Sequence, residues 1–256
     1  MNEKSENRKA LPKFVLSLFA SLLLGGAAGF AIGVARGAGW SAAALAGALS
    51  AGLDAVTPWG IPVTSALTLG TCFFLYRSAA KKFAAWDGGD EDETSASIDA
   101  ALSWVLLLSS IQLLLNLFFL SAFCIYWLDR DLRHLALVGV FLLSCGLVVF
   151  AEQKAIDLAR KMNPEKRGSV YDSKFQKKWL DSCDESERRQ IGEASRQAYM
   201  VTNRLCLGLW LALILLSMVF EMSLLPVFVL MLVWGTMMVT YTLECVRMGR
   251  KPDSRG

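Results

Sequence analysis

Six long apolar stretches alternate with polar segments along this chain. A helix needs about 20 apolar residues to cross roughly 30 Å of hydrocarbon. The stretches place spans at about 14–35, 58–76, 100–128, 135–151, 205–220 and 226–243. Runs of this length exclude transmembrane β-strands. The pattern predicts an all-α, polytopic membrane protein of six transmembrane helices arranged as three antiparallel hairpins. A basic start followed by an apolar core also fits a cleaved signal peptide. The first run continues well past a signal core, which favours a retained span. Residues 37–57, rich in Ala, Gly and Ser around Trp40 and Asp54, are too weakly apolar to span. They read as an exterior surface or re-entrant helix, ahead of a span that begins at Pro58. Residues 152–203 form the largest polar segment and are expected to be a helical cytoplasmic loop.

Charge orients this scheme. All but three of the 26 Lys and Arg residues fall on one side of it, the exceptions being Arg36, Arg130 and Arg133. Loops rich in Lys and Arg stay cytoplasmic, so both termini are expected there, in the cytoplasmic membrane of a cell. The net charge of +3 is sided rather than spread. That argues for contact with an anionic inner leaflet and against nucleic-acid binding.

Enzyme chemistry finds little support. His134 is the one histidine, and there is no HExxH, GxSxG or Walker lysine loop. No catalytic, cofactor-binding or metal-binding residue is expected. Cys72, Cys124, Cys145, Cys206 and Cys245 lie in or at the ends of spans and Cys183 lies in the loop, with no CxxC spacing. They read as small packing residues, not disulfides. The acidic run from Asp87 to Glu93 lacks calcium-loop spacing and reads as a solvated linker. No ionisable residue lies deep within a span, and no proline interrupts one at its middle, which counts against a secondary transporter.

Three features remain. Gly25, Gly29, Gly33 and Gly37 recur every four residues, along one stripe of span one. Such a stripe lets another backbone approach, from a second span or from a second protomer in a homo-oligomer. Gln112 and Asn116 lie one turn apart in span three, near Ser109. They read as interhelical hydrogen-bond glue or as part of a polar pathway. The third feature is in the loop. Glu152–Met162 should prolong span four until Asn163-Pro164 stops it. Tyr171, Phe175 and Trp179 then recur every four residues, so a helix would gather them on one face with Lys174, Lys177 and Lys178 off it. That face suits an anionic lipid surface or the groove of a soluble cytoplasmic partner. Ser182 with Glu185 fits a capping box. The helix it starts carries Ile191, Ala194, Ala198, Val201 and Leu205 on one stripe and should run unbroken into span five. The extensions of spans four and five would then stand side by side and hold the aromatic helix between them.

The run from Asn163 to Tyr199, with Asn-Pro-Glu-Lys-Arg-Gly-Ser-Val-Tyr-Asp-Ser-Lys-Phe-Gln-Lys-Lys-Trp-Leu-Asp-Ser-Cys-Asp-Glu at its head, resembles a bacterial integral-membrane family catalogued as domain of unknown function 3169. The resemblance implies a multi-pass protein of Gram-positive-type bacteria and brings no catalytic residue. It also implies a membrane-bound partner for a small helix-turn-helix regulator, since such families are often encoded beside one. The expected function is a non-enzymatic regulator or partner-docking protein that uses its loop. The alternative is a bacteriocin-immunity or small-solute transport protein acting through Gln112, Asn116 and the glycine stripe.

Overall fold

The computed structural model describes residues 42–86, 92–126, 135–220 and 223–249, together with nine positions between 16 and 34. The helices are α1 (Ala42–Ala85), α2 (Asp92–Tyr126), α3 (Leu135–Met162), α4 (Phe175–Asp181), α5 (Glu185–Phe220) and α6 (Leu225–Gly249). No strand occurs among the described residues. Five of these helices are long and apolar enough to cross a membrane, over Ala46–Ala85, Glu93–Ile125, Ala136–Met162, Glu185–Ser217 and Leu225–Arg247. Large apolar side chains stand exposed along them, among them Phe74, Leu114, Ile125, Leu142 and Phe228. A water-soluble monomer rarely exposes so much contiguous apolar surface, whereas a lipid-facing bundle must. The expected first span, 14–35, lies mostly outside the described residues, although its nine described positions are helical.

One expectation is corrected. Residues 42–57 are not an element separate from the next span. They are the first part of one helix of 44 residues that passes through Pro58 and Pro62 without a break. Each proline removes one backbone hydrogen bond, a loss that membrane-type helices tolerate when neighbouring groups compensate. The missing amide donors are those that would serve the carbonyls of Asp54 and Pro58, four residues before each proline; nearby, Thr57 Oγ1 donates to the Leu53 carbonyl at 2.6 Å and Thr64 Oγ1 to the Gly60 carbonyl at 2.7 Å. The weak hydropathy of 42–57 was a poor guide because Ala is the best helix former whatever its burial.

The chain divides into two compact units, residues 48–193 and residues 194–256 with 1–47. In the first, α1 and α2 run antiparallel. Thr68 meets Gln112, Cys72 meets Val105 and Lys82 meets Ser97, so position numbers fall on one strand of contacts as they rise on the other. α3 packs along α2, with Ser144 beside Asn116. At about 1.5 Å per residue, α1, α2 and α3 all exceed the roughly 30 Å of hydrocarbon. The most completely buried apolar cluster sits toward the end where α1 and α3 finish and α2 begins: Ala79, Ile98 and Ala155 have no exposed surface, and Leu102 and Leu158 join them. In the second unit the later part of α5 runs antiparallel to α6. Tyr199 stacks on Tyr241 with ring centres 4.2 Å apart, and Trp234 Nε1 donates to Asn203 Oδ1 at 2.7 Å.

α3 ends at Met162, where Asn163-Pro164 was expected to stop it, and α5 runs unbroken from the loop through residue 220. The cap of α5 lies two residues beyond the expected one. Asp184 Oδ1 accepts from the Glu187 amide at 2.7 Å, and Glu187 Oε2 accepts from the Asp184 amide at 3.1 Å, a reciprocal capping box. Ser182 instead donates to the Trp179 carbonyl at 2.7 Å and accepts from the Arg167 amide at 3.1 Å. The stripe on α5 is not a packed face, since Ile191, Val201 and Leu205 are exposed.

Candidate functional site

Between α3 and α5 the chain folds back on itself through a series of turns, each set by a particular residue. Asn163-Pro164-Glu165-Lys166 closes on itself, the Lys166 amide donating to the Asn163 carbonyl at 3.0 Å. Proline at the second position fits this turn because its ring fixes φ in advance. Gly168 follows with φ of 132°. Any side chain is strained there, and a Cβ would lie 2.8 Å from Cδ2 of the Phe175 ring. Asp172 then starts α4: its Oδ1 accepts from the Lys174 amide at 2.9 Å, and its carboxylate pairs with the Lys178 ammonium.

Two side chains fasten this segment to the long helices. Gln153, nearly buried on α3, uses one Oε1 to accept from Ser169 Oγ and from the Val170 amide, both at 2.9 Å, while its Nε2 donates to Asp157 Oδ1 at 2.7 Å. Lys166 is only 5% exposed. Its ammonium pairs with Glu187 of α5, lies 3.6 Å from Cys183 Sγ and 5.8 Å from the centre of the Trp179 ring. Asp99 of α2 is within electrostatic reach of the same pair. Burial pulls the Lys166 ammonium down, but its hydrogen bond to Glu187 and that carboxylate's charge outweigh this and hold its pKa above the ordinary lysine value. The pair therefore contributes stability below the ordinary lysine pKa of about 10.4, and that contribution is lost as pH rises through the higher folded value.

The three aromatic residues singled out by spacing do not share one helix face. Tyr171 precedes α4, lies in a turn and is 69% exposed. α4 is a helix of seven residues and cannot carry a three-turn stripe. Phe175 and Trp179 do lie on it, with ring centres 5.7 Å apart, and both turn half inward over Gly168 and Lys166. Lys174 and Lys177 are exposed, whereas Lys178 is held by Asp172. The expected aromatic face is thus divided into an inward pair beside Lys166 and an exposed Tyr171, with Lys174 and Lys177 exposed after it. Beside them an open cleft of about 820 Å³ is bordered by Arg160, Arg167 and Asp181. Spacing alone missed Lys166, Glu187 and Gln153; a lysine just ahead of an Arg-Gly turn carries no mark of burial.

The Asp172–Lys178 pair makes an acid-dependent prediction. Its hydrogen bond from Lys178, and then that from the Lys174 amide, hold the Asp172 carboxyl below the usual carboxylate value of about 4. A depressed carboxylate stabilises above its unfolded pKa and ceases to do so as pH falls through the folded one. Hydrogen exchange at the Lys174 amide, corrected for intrinsic rate, is expected to rise below about pH 4. An Asp172→Asn chain should lack that acid step, and an identical profile in both would show that the carboxylate does not hold the turn.

In the spans, Gln112 and Asn116 are fully buried and joined. Gln112 Oε1 accepts from Thr68 Oγ1 at 2.5 Å, and its Nε2 is within reach of Ser65 Oγ at 3.0 Å and Asn116 Oδ1 at 2.8 Å. Asn116 Nδ2 donates to Ser144 Oγ at 2.8 Å, and Ser144 lies 2.7 Å from Ser65 Oγ. α1, α2 and α3 all contribute, so the amides tie three helices together. Of the glycine stripe, Gly25 and Gly37 fall outside the described residues. Among the described residues nothing approaches within 4 Å of a Cβ built on Gly29 or Gly33.

A family model described as a protein of unknown function (DUF3169) matches residues 11–244. No curated protein and no solved structure matches the chain.

Proposed function

Because the chain belongs to the DUF3169 family, which brings no reaction with it, we propose that it is a non-enzymatic membrane protein whose 163–184 segment is a docking surface for a soluble cytoplasmic partner. One observation carries this reading. The segment is fixed to α3 by Gln153 and to α5 by Lys166–Glu187, yet it presents Tyr171, Lys174, Lys177 and Leu180 outward. A plain linker needs neither buried fastenings nor an exposed aromatic followed by two exposed lysines. Pre-organised aromatics are frequent anchors of interfaces, and flanking lysines steer an acidic partner toward them. The intramembrane amides support a structural part rather than a conducting one, because their hydrogen-bonding groups are spent on one another and on neighbouring hydroxyls.

The test uses the full chain in lipid nanodiscs, exposed to the soluble fraction of its own cells. Tyr171→Ala combined with Lys174→Glu and Lys177→Glu should lower capture of a specific soluble protein at least about tenfold, as loss of an anchor and its steering charges would. All three side chains point away from the fastenings, so helix content should be unchanged. Equal capture by the altered and unaltered chains removes this reading.

A further inference from the structure

A groove of about 340 Å³ opens between α1, α2 and α3. Its floor is formed by Cys72 and Val105, which are almost wholly buried, and its walls include Phe73 and Phe150. Tyr76 and Lys154 lie at its rim. The volume is at the lower end of the roughly 300–1,000 Å³ of small-molecule sites. Two cations lie over rings of its wall. Lys154 Nζ lies 5.4 Å from the centre of the Phe150 ring, and Arg77 Cζ lies 5.9 Å from that of Phe73. Each charge is therefore held over an aromatic ring that walls the groove. Among the described residues neither cation has a carboxylate partner.

We propose that this groove binds one acyl chain of an anionic phospholipid, with the lipid phosphate between Arg77 and Lys154. The proposal takes α1–α3 as membrane-spanning and is independent of any partner at the 163–184 segment. The chemistry follows the layout. An apolar slot running into the bundle accepts methylenes, and an amphipathic Tyr76 at its rim marks the boundary with the headgroups. Two unpaired cations at that boundary complement a negative headgroup, each strengthening it by an amount typical of a basic residue near an anionic leaflet. A neutral lipid would fill the slot and leave both charges unmatched.

The full chain, reconstituted with equal amounts of phosphatidylglycerol and phosphatidylcholine vesicles and released into native mass spectrometry, reports which lipid stays bound. The unaltered chain should retain phosphatidylglycerol in preference. Lys154→Gln should weaken that preference about fivefold, and Arg77→Gln with it by about tenfold or more, while Lys154→Arg restores it. Ala151→Trp, which fills the mouth, should lose both lipids. The charge variants alter exposed side chains, so their result stands even where the tryptophan chain folds poorly. Retention without headgroup preference overturns the proposal. So does an unaltered chain that is lipid-free, whether as a monomer or as a dimer whose second copy covers the groove.

Discussion

Gln112→Ala is expected to destabilise the α1–α2–α3 unit by about 2–4 kcal/mol in reversible unfolding from mixed micelles. Two effects combine. Interhelical hydrogen bonds in membrane proteins average about 0.6 kcal/mol and reach about 1.7, and Gln112 reaches Thr68 and Ser65 of α1, besides Asn116 one turn on in its own helix. The position has no exposed surface, so truncation also leaves a void whose lining loses its contacts. Gln112→Leu separates the two. It keeps most of the volume, and Thr64 and Thr68 fall back on the Gly60 and Thr64 carbonyls they already reach at 2.7 Å. Its cost should be only about 1–2 kcal/mol. A double-mutant cycle with Asn116→Leu should give a coupling of at least about 0.5 kcal/mol, since contacting residues are not additive. If Gln112→Leu abolished solute flux or toxin protection without moving stability, the glue reading would fail and a polar pathway would take its place.

This network shows what a single sequence exposes and what it hides. Gln112 and Asn116 stand out because amides are costly in an apolar run. Their partners Ser65, Thr68 and Ser144 do not, since hydroxyls satisfy themselves on their own helix and occur in any span. The same asymmetry runs through the loop. Pro164 announced the end of α3, and the acidic turn ahead of α5 announced a cap. The expected box was Ser182 with Glu185, and tertiary contacts moved the cap to Asp184 with Glu187. Ser182 was drawn off by the Trp179 carbonyl and the Arg167 amide, which left Asp184 to cap. The four-residue spacing of Tyr171, Phe175 and Trp179 predicted a longer helix than forms. Asp172 and Gly168 impose turns that a periodic pattern does not register. Helix existence was legible for the five long helices among the described residues. The extent of α1 was not, because hydropathy reports burial in lipid whereas Ala-rich sequence makes helix in either medium.

Gly60 was invisible to pattern, and it yields the sharpest packing prediction. It is buried in α1 between Pro58 and Pro62, opposite α2. A Cβ built there lies 2.2 Å from Cδ1, 2.3 Å from Cε1 and 2.5 Å from Cγ of Phe119. No such contact is sustainable, so the ring must swing away or the helices must part. Because Cγ itself lies at 2.5 Å, turning the Phe119 ring about its own axis gives no relief, and the side chain has to leave its present rotamer. Overpacking of this kind costs about 1–3 kcal/mol. The sign is diagnostic, because Gly→Ala within a helix otherwise stabilises by about 0.5–1 kcal/mol. Gly70, in the same helix with nothing within 4 Å of its Cβ position, supplies the comparison. Gly60→Ala should therefore lower stability while Gly70→Ala leaves it unchanged or raises it. Adding Phe119→Ala to Gly60→Ala should recover part of the loss, because the second truncation makes the room the first one lacks. If Gly60→Ala and Gly70→Ala behaved alike, α1 and α2 would not approach at Gly60, and the antiparallel register that also aligns Thr68 with Gln112 and Cys72 with Val105 would be wrong with it.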